Sequence, residues 1–308
     1  MDPLDDLLQG VRADGAGFGR TELSPPWTLR FTDGASLTLS AALRGEAWIS
    51  LDAGPPRLLK PGDTAIVRGP APFTVTDRPQ PGSFTATTSA DTSPPASTVL
   101  LTGTYQVRGQ VAARLLGLLP PLLVLPGTDG CSSLCDFLDS EAASCRPGRQ
   151  VVLDRLLDWL LVCTLRGWFD RPEAAPPAWY RALGDEVTGP ALRAMHQAPE
   201  RPWTLAALAA EAGVSRTTLA ARFTRQVGKP PLAYLTDWRM TLAADLLTGS
   251  TATVAAVARQ VGYADAFGLS TAFKRVHGVS PSEYRRACGT AECAGDCLVP
   301  TGDNSTLR

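Results

Sequence analysis

A chain of 308 residues with 44% hydrophobic content is too long for one small core and apolar enough to build more than one. Its longest apolar stretches are Leu115–Leu125, broken by Pro120 and Pro121, and Leu153–Leu165, interrupted by Asp154, Arg155 and Asp158; neither supplies the roughly 20 clean residues of a membrane span. The net charge of −1 hides an asymmetry: residues 200–286 hold eleven Arg or Lys against six Asp or Glu, so a basic excess of +5 faces −6 in the remainder, as suits a phosphate-bearing partner for the last third.

The start, MDPLDDLLQG, is acidic and lacks the basic and apolar regions of a signal peptide, so a cytoplasmic protein with no membrane partner is expected. Seven cysteines, an odd number in a long chain, read as reduced thiols rather than a disulfide framework.

From Trp27 to about Asp77, short alternating runs are cut by turn signals at Asp33-Gly34, Gly45, Gly54-Pro55-Pro56 and Pro61-Gly62-Asp63. In Glu46–Asp52, Ala47, Ile49 and Leu51 fall on one face and Trp48, Ser50 and Asp52 on the other. Strands at this spacing predict a small barrel or sandwich. Residues 78–97 read as a long loop, and Thr98–Tyr105 as a further strand.

From Val111 the period turns helical. Leu153, Leu156, Leu157, Leu160, Leu161 and Leu165 form a stripe that packs on its own domain, forms a homodimer seam, or does both. The stretch CSSLCDFLDSEAASC reads as loop-like, and RPEAAPPA (171–178) as a hinge.

Pro202–Val227 orders an apolar helix with Thr204 as cap, a turn at Gly213, and a second helix capped by Ser215 and carrying Leu219 and Phe223. Thr253–Val276 repeats the arrangement: Val254, Val257 and Ala258, a turn at Gly262, Asp265 as cap, then Leu269 and Phe273. These are two helix-turn-helix units, able to enter successive major-groove faces roughly 34 Å apart. Between them Pro231–Leu247 reads as one helix with Leu235, Trp238, Leu242 and Leu246 on a stripe, a rod that fixes the spacing.

The segments LAALAAEAGVSRTTLAARFTRQVGKPPLAYLTDWRMTLAADLL and VAAVARQVGYADAFGLSTAFKRVHGVSPSEYRR closely resemble the AraC/XylS regulators over about Leu183–Arg286. The front half, with PWTLRF, RGEAWISLDAG, LLKPGDTAIVRGPAPF and PGRQVVLDRLLDWLLVCTLRGWF, resembles the cupin-type ligand domain that precedes this DNA-binding domain in one AraC subgroup. It departs from that pattern at Phe73, where many such domains have a histidine, and at Thr102, near which relatives carry a cysteine.

The resemblance implies an α+β multidomain fold: an N-terminal segment (1–19), a cupin-like sensory β domain (20–110), a helical dimerisation and linker region (111–182), an all-α DNA-binding domain (183–287) and a cysteine-containing tail (288–308). It implies a DNA-binding transcription regulator, by family habit an activator, whose partners are double-stranded promoter DNA, RNA polymerase and a second copy of itself. Carried over from the family, the DNA-reading positions are Arg216, Thr217, Ala220 and Ala221, with Arg222 nearby, on the first unit, and Ala266, Phe267, Thr271 and Lys274 on the second. Arg222, Arg225 and Arg275 equally fit a solvated helix face, and Arg239 either a phosphate contact or a bridge to Asp237 or Asp245.

No cofactor and no metal is expected. A metal-dependent cupin holds its ion with two or three imidazoles, whereas His196 and His277 both lie outside the barrel segment. No GxSxG, Walker-type or HExxH pattern points to an enzyme. An organic effector has Trp27, Phe31, Trp48 and Phe73 available, residues that also serve as core filling. The alternative is a redox or metal sensor using Cys131, Cys135 and Cys145, while Cys288, Cys293 and Cys297 form a second cluster and Cys163 reads as core.

Overall fold

The computed structural model describes residues 3–9, 11–13, 19–52, 54–79, 97–107, 109–127, 129–171, 173–174 and 176–291. It divides into two compact units: residues 8–108 with 112–176, and residues from 177 onward with short segments at 1–7 and 109–111. The expected loop at 78–97 falls largely outside the described residues, as do Cys293 and Cys297. Among the described residues no helix is long and apolar enough to cross a membrane.

The chain opens with α1 (Pro3–Gln9), followed by β1 (Val11–Ala13), β2 (Gly19–Leu23), β3 (Thr28–Phe31), β4 (Leu37–Arg44), β5 (Ala47–Leu51), β6 (Arg57–Leu59), β7 (Thr64–Arg68), β8 (Phe73–Thr76) and β9 (Thr98–Val107). These pair antiparallel in two sheets. One runs β1-β9-β4-β7-β10, where β10 is Leu122–Leu125, with β2 also paired to β9; the other runs β3-β8-β5-β6. Between the sheets lies a core of Trp27, Ala42, Ala47, Ile49, Leu59, Ala65, Val67, Phe73, Val75 and Leu100. Ala47 and Ile49 point into it as the alternation predicted, and this is the cupin-like barrel.

Two expectations for the following region are corrected. It is not wholly helical: after α2 (Gly109–Gly117), Leu122–Leu125 pairs with Val67–Thr64 as β10, because Pro120 and Pro121 stop the helix and leave a short apolar run to add to the sheet. The cysteine-bearing stretch expected to be a loop is α3 (Asp129–Ala143). It contains no Gly or Pro between Cys131 and Ala143, and Leu134 and Leu138, four apart, are both buried.

The 21-residue α4 (Arg149–Phe169) buries Leu153, Leu157, Leu160, Leu161 and Leu165 and leaves Leu156 half-buried. It lies against the outer face of the larger sheet. The Tyr105 hydroxyl on β9 donates to the Leu157 carbonyl at 2.9 Å, and Gly103 provides the room, since a Cβ there would sit 3.0 Å from the Leu157 side chain.

The helical unit continues with α5 (Ala178–Ala182), α6 (Thr188–Gln197), α7 (Leu205–Glu211), α8 (Arg216–Val227), α9 (Pro231–Gly249), α10 (Val254–Gln260), α11 (Ala266–His277) and α12 (Pro281–Ala291). It holds two separate cores. Leu192, Met195, Leu208, Leu219, Phe223 and Leu235 centre the first; Met240, Ala244, Leu247, Val257, Leu269, Phe273 and Tyr284 centre the second.

The two turn glycines occupy equivalent places with unequal constraints. At Gly213, with φ +67, nothing lies within 4 Å of the place a Cβ would take, whereas at Gly262, with φ +82, a Cβ would lie 2.6 Å from the Glu200 carbonyl and 2.7 Å from the Arg239 guanidinium. Gly213→Ala is expected to cost about 1 kcal/mol, the low end for a non-glycine residue in left-handed backbone, and Gly262→Ala more than about 3 kcal/mol because the methyl group also displaces its neighbours. Urea denaturation of the two variants checks this order.

Candidate nucleic-acid interface and barrel pocket

Each helix-turn-helix is set by its caps. The side chains of Thr204, Ser215, Thr253 and Asp265 accept the backbone N–H three residues on, at 3.1, 3.1, 3.2 and 2.7 Å, so α7, α8 and α11 start at the caps the sequence predicts and Thr253 caps α10 in the same way. Leu219 and Phe223, and likewise Leu269 and Phe273, are fully buried and fix which face of each second helix looks outward.

On α8 that outward face shows Arg216, Thr217 and Ala221 exposed and Ala220 half-buried. Arg222, expected beside them, is turned to its own domain. Its Nε and Nη2 donate to Asp185 Oδ2 at 3.0 and 2.7 Å, and Gln226 donates to the same oxygen at 2.7 Å. Asp185 Oδ1 accepts the N–H groups of Val187 and Thr188, both at 2.9 Å. Burial works against ionisation of this carboxyl, yet the N–H of Thr188, the Gln226 amide, the N–H of Val187 and the Arg222 guanidinium together hold it well below the usual carboxylate range. The sequence offered no pointer to Asp185, which lies 37 residues from Arg222.

On α11, Phe267, Thr271 and Lys274 are exposed and Ala266 is half-buried. Phe267 is 83% exposed, an unusual placement for a phenylalanine with a fully buried Leu269 two residues away.

The long helix α9 serves both units. Leu235 packs in the first core, while Met240, Ala243, Ala244 and Leu247 pack in the second; Leu242 and Leu246, expected on one stripe with Leu235 and Trp238, are only partly buried. Arg239 bridges to neither Asp237 nor Asp245. Its Nε donates to the Pro199 carbonyl and its Nη2 to the Arg201 carbonyl, both at 2.7 Å, and it lies 5.9 Å from the Tyr263 ring centroid. Asp237 instead accepts from Lys229 at 2.6 Å, and Asp245 accepts from the Gln110 and Val111 N–H groups. His196 is buried, with Nδ1 2.5 Å from Asp6 and Nε2 2.9 Å from the Tyr234 hydroxyl.

In the barrel unit, Trp27 and Phe73 are buried in the inter-sheet core, and Phe31 stacks on Phe73 with centroids 4.5 Å apart. Trp48, grouped with them in the sequence, alternates with Ala47 and Ile49 and therefore lies on the other face of β5. A shallow surface pocket, with enclosed space for about one water, lies beside Phe31, Thr38, Val67 and Phe73. Of the thiols, Cys135 is buried on α3, Cys145 is exposed beyond it, and the side chain of Cys131 lies outside the described residues. Among the described residues no cluster of His, Cys, Asp and Glu is arranged to hold a metal.

A β barrel ahead of two capped, outward-facing helix-turn-helix units defines a DNA-binding regulator with an appended cupin domain. Known proteins agree: residues 2–170 match the cupin family model and residues 208–287 a helix-turn-helix domain. A protein of Streptomyces lividans named an AraC-like transcription regulator is 32% identical over 299 residues, covering 93% of this chain and 98% of that one. The regulator AlkR of Acinetobacter baylyi is 26% identical, covering 93% and 99%, and the RCS-specific activator RclR of Escherichia coli is 25% identical, covering 92% and 97%. Among solved structures, the DNA-binding domain of AdpA in complex with a target DNA is 31% identical over 34% of this chain and 98% of that one, with a TM-score of 0.33. The chain belongs to the AraC family of transcription regulators.

Asp185→Asn is expected to lower the melting temperature near neutral pH by removing the charge that anchors α8. Because the folded carboxyl is held well below its unfolded value, the stabilisation it provides is fully present above about pH 4 and is lost gradually as the pH falls from there toward the folded value, so the gap between wild-type and variant melting temperatures is constant from pH 7 to about pH 5 and begins to narrow by pH 3. Calorimetry from pH 7 to pH 3 measures it.

Proposed function

We propose that this protein is a homodimeric, cytoplasmic activator that reads promoter DNA through the exposed faces of α8 and α11 and responds to a small effector in its barrel. The observation that carries the reading is the pair of equivalent outward faces, Arg216, Thr217, Ala220 and Ala221 on one and Ala266, Phe267, Thr271 and Lys274 on the other, with a single helix running through both cores between them.

Most of these side chains are apolar or small. Alanine and phenylalanine contact thymine methyl groups, Thr217 and Thr271 serve either polar or apolar edges, and Arg216 and Lys274 reach guanine or phosphate. The second site is read chiefly through the Phe267 ring. Arg222 and Arg239 shape the domain rather than touch bases, given their intramolecular partners.

The dimer forms through α4, whose Val151, Val152 and Trp159 are 62%, 39% and 58% exposed on a helix that otherwise buries its leucines. Activation involves RNA polymerase as a further partner; the name of the RclR relative, an activator, supports this direction.

Footprinting on the protein's own upstream DNA at fixed salt tests the reading: two protected segments about 10 base pairs apart are expected, and a single segment or none overturns it. Arg216→Ala and Phe267→Ala are each expected to weaken binding about tenfold, within the 1–3 kcal/mol of one base contact, as measured by fluorescence anisotropy. Arg225→Ala is the surface control. Oxidation with diamide in parallel examines the thiol alternative, which gains ground if binding changes and the change disappears on replacing Cys131, Cys135 and Cys145 with Ser. Trp159→Glu is expected to convert the dimer to monomer in sedimentation equilibrium at micromolar concentration.

A further inference from the structure

The turns of the two helix-turn-helix units differ in what they touch. Gly213 closes the first turn with nothing within 4 Å of the place a Cβ would take, so the motif by itself needs no neighbour there. At Gly262, the equivalent place in the second unit, the Glu200 carbonyl lies 2.6 Å and the Arg239 guanidinium 2.7 Å from that point. Glu200 belongs to the segment that leads into α7 of the first unit, and Arg239 to α9. The turn of one unit is therefore pressed against the entry of the other, a contact that the helix-turn-helix motif itself does not require.

The entry segment is a firm platform. Trp203, buried in the first core, donates its indole N–H to the Ala198 carbonyl at 2.8 Å; the Arg201 N–H donates to the same carbonyl at 3.2 Å, and the Arg201 guanidinium stacks over the Trp203 ring at 4.2 Å. The Pro199 and Arg201 carbonyls of this platform receive the Nε and Nη2 of Arg239, both at 2.7 Å. The same guanidinium stands 5.9 Å from the centroid of the Tyr263 ring, whose hydroxyl hydrogen-bonds to Thr236, one turn earlier on α9. A planar fork with donors at fixed angles holds two carbonyls at once, which the single ammonium of a lysine does less well.

The two helical cores are separate, and α9 passes through both. One rod through two cores sets their separation; a second link, away from the axis of the rod, also sets their rotation about it. Duplex DNA makes that rotation matter. Moving a recognition box by one base pair shifts it about 3.4 Å along the duplex and turns it about 35° around the axis.

We propose that Arg239 is the positioning residue that locks the rotation of α11 relative to α8, so that the protein selects operators by the spacing of their two boxes as well as by box sequence. This rests on the reading that α8 and α11 both enter DNA, and adds the residue that makes them act as one body. An operator of matching spacing is met without reorganisation, and one shifted by a base pair strains the joint or leaves a unit unbound. Without the joint the second unit docks as a tethered module, held by effective concentration in place of preset geometry.

Fluorescence anisotropy of the full chain at fixed salt, on the operator located by footprinting and on versions with one box moved a base pair either way, tests it. Wild type is expected to lose about tenfold or more in affinity on such a move, the scale of one lost base contact. Arg239→Gln is expected to bind the natural operator within about fivefold of wild type, to lose less than about threefold on the same move, and to keep the wild-type salt dependence. Arg239→Lys, which keeps the charge and is the milder change should the glutamine variant melt below the assay temperature, is expected to show the same relaxed spacing. A phosphate contact predicts instead an equal loss at every spacing, a salt slope lower by about one, and rescue by lysine; that pattern overturns the proposal. Retention of the wild-type spacing penalty by either variant also overturns it. Wild type indifferent to spacing overturns it and leaves the two-unit reading of DNA standing, whereas a single protected box overturns both.

Discussion

The helical unit depends on one helix having to complete two cores at once. Over its 19 residues α9 gives Leu235 to the first helix-turn-helix and Met240, Ala243, Ala244 and Leu247 to the second, which is why it carries no single apolar stripe. A helix buried on successive faces cannot rotate to improve one contact without spoiling the other. Arg239, at the crossover, donates to the carbonyls of Pro199 and Arg201, the segment just before α7, and its guanidinium stands where any side chain on Gly262 would have to go. Burial disfavours the charge on this guanidinium, and satisfying it with two carbonyls at 2.7 Å offsets that cost. A fixed spacing between α8 and α11 follows from packing of this kind, not from the intrinsic stiffness of a helix.

The barrel unit solves a different problem. Its larger sheet is covered on the outside, where Tyr105 and Gly103 meet α4, and closed on the inside by the smaller sheet, so β4, β7 and β9 read as nearly continuous buried runs instead of clean alternations. Within that double burial Thr38, Ser40, Thr102 and Thr104 take the inner face, while Thr64 takes the outer one. The contrast between the two faces of β4, with Leu37, Leu39 and Ala41 outward and Thr38, Ser40 and Ala42 inward, separates a packing surface from a lining. Phe73 belongs to the same logic: it is buried and stacks on Phe31, so this edge of the interior is an aromatic wall.

Both helix-turn-helix units are legible from residue order, because caps and turns are local. Thr204, Ser215, Thr253 and Asp265 each act within three residues of themselves, and Gly213 and Gly262 answer a backbone requirement that sequence spacing exposes. The barrel is legible as a class through its turn signals. The helix α3 is not, because a polar composition obscures a two-leucine stripe, and β10 is hidden because two prolines inside an apolar run look like interruptions of a helix rather than its end. A signal for the inward Thr38, Ser40, Thr102 and Thr104 is present in LTLSAALR and TVLLTGTY, where Thr and Ser recur at every second place, but two-sided burial hides which face they take.

The sequence by itself determined the two repeated helix-turn-helix units, their turns and most of their caps, and the absence of imidazoles from the barrel segment, since each is set by residue identity or by contacts within a few positions. Only the tertiary structure decided that Arg222 belongs to Asp185 and Arg239 to the backbone before α7, that Trp48 points away from the interior holding Trp27 and Phe73, and that Ser40 and Thr102 share a row. Arg222 and Asp185 stand 37 positions apart, and Ser40 and Thr102 further still. The partner of a charge or the register of a strand depends on how distant segments are brought together, and that is fixed by burying both cores at once and not by any local pattern.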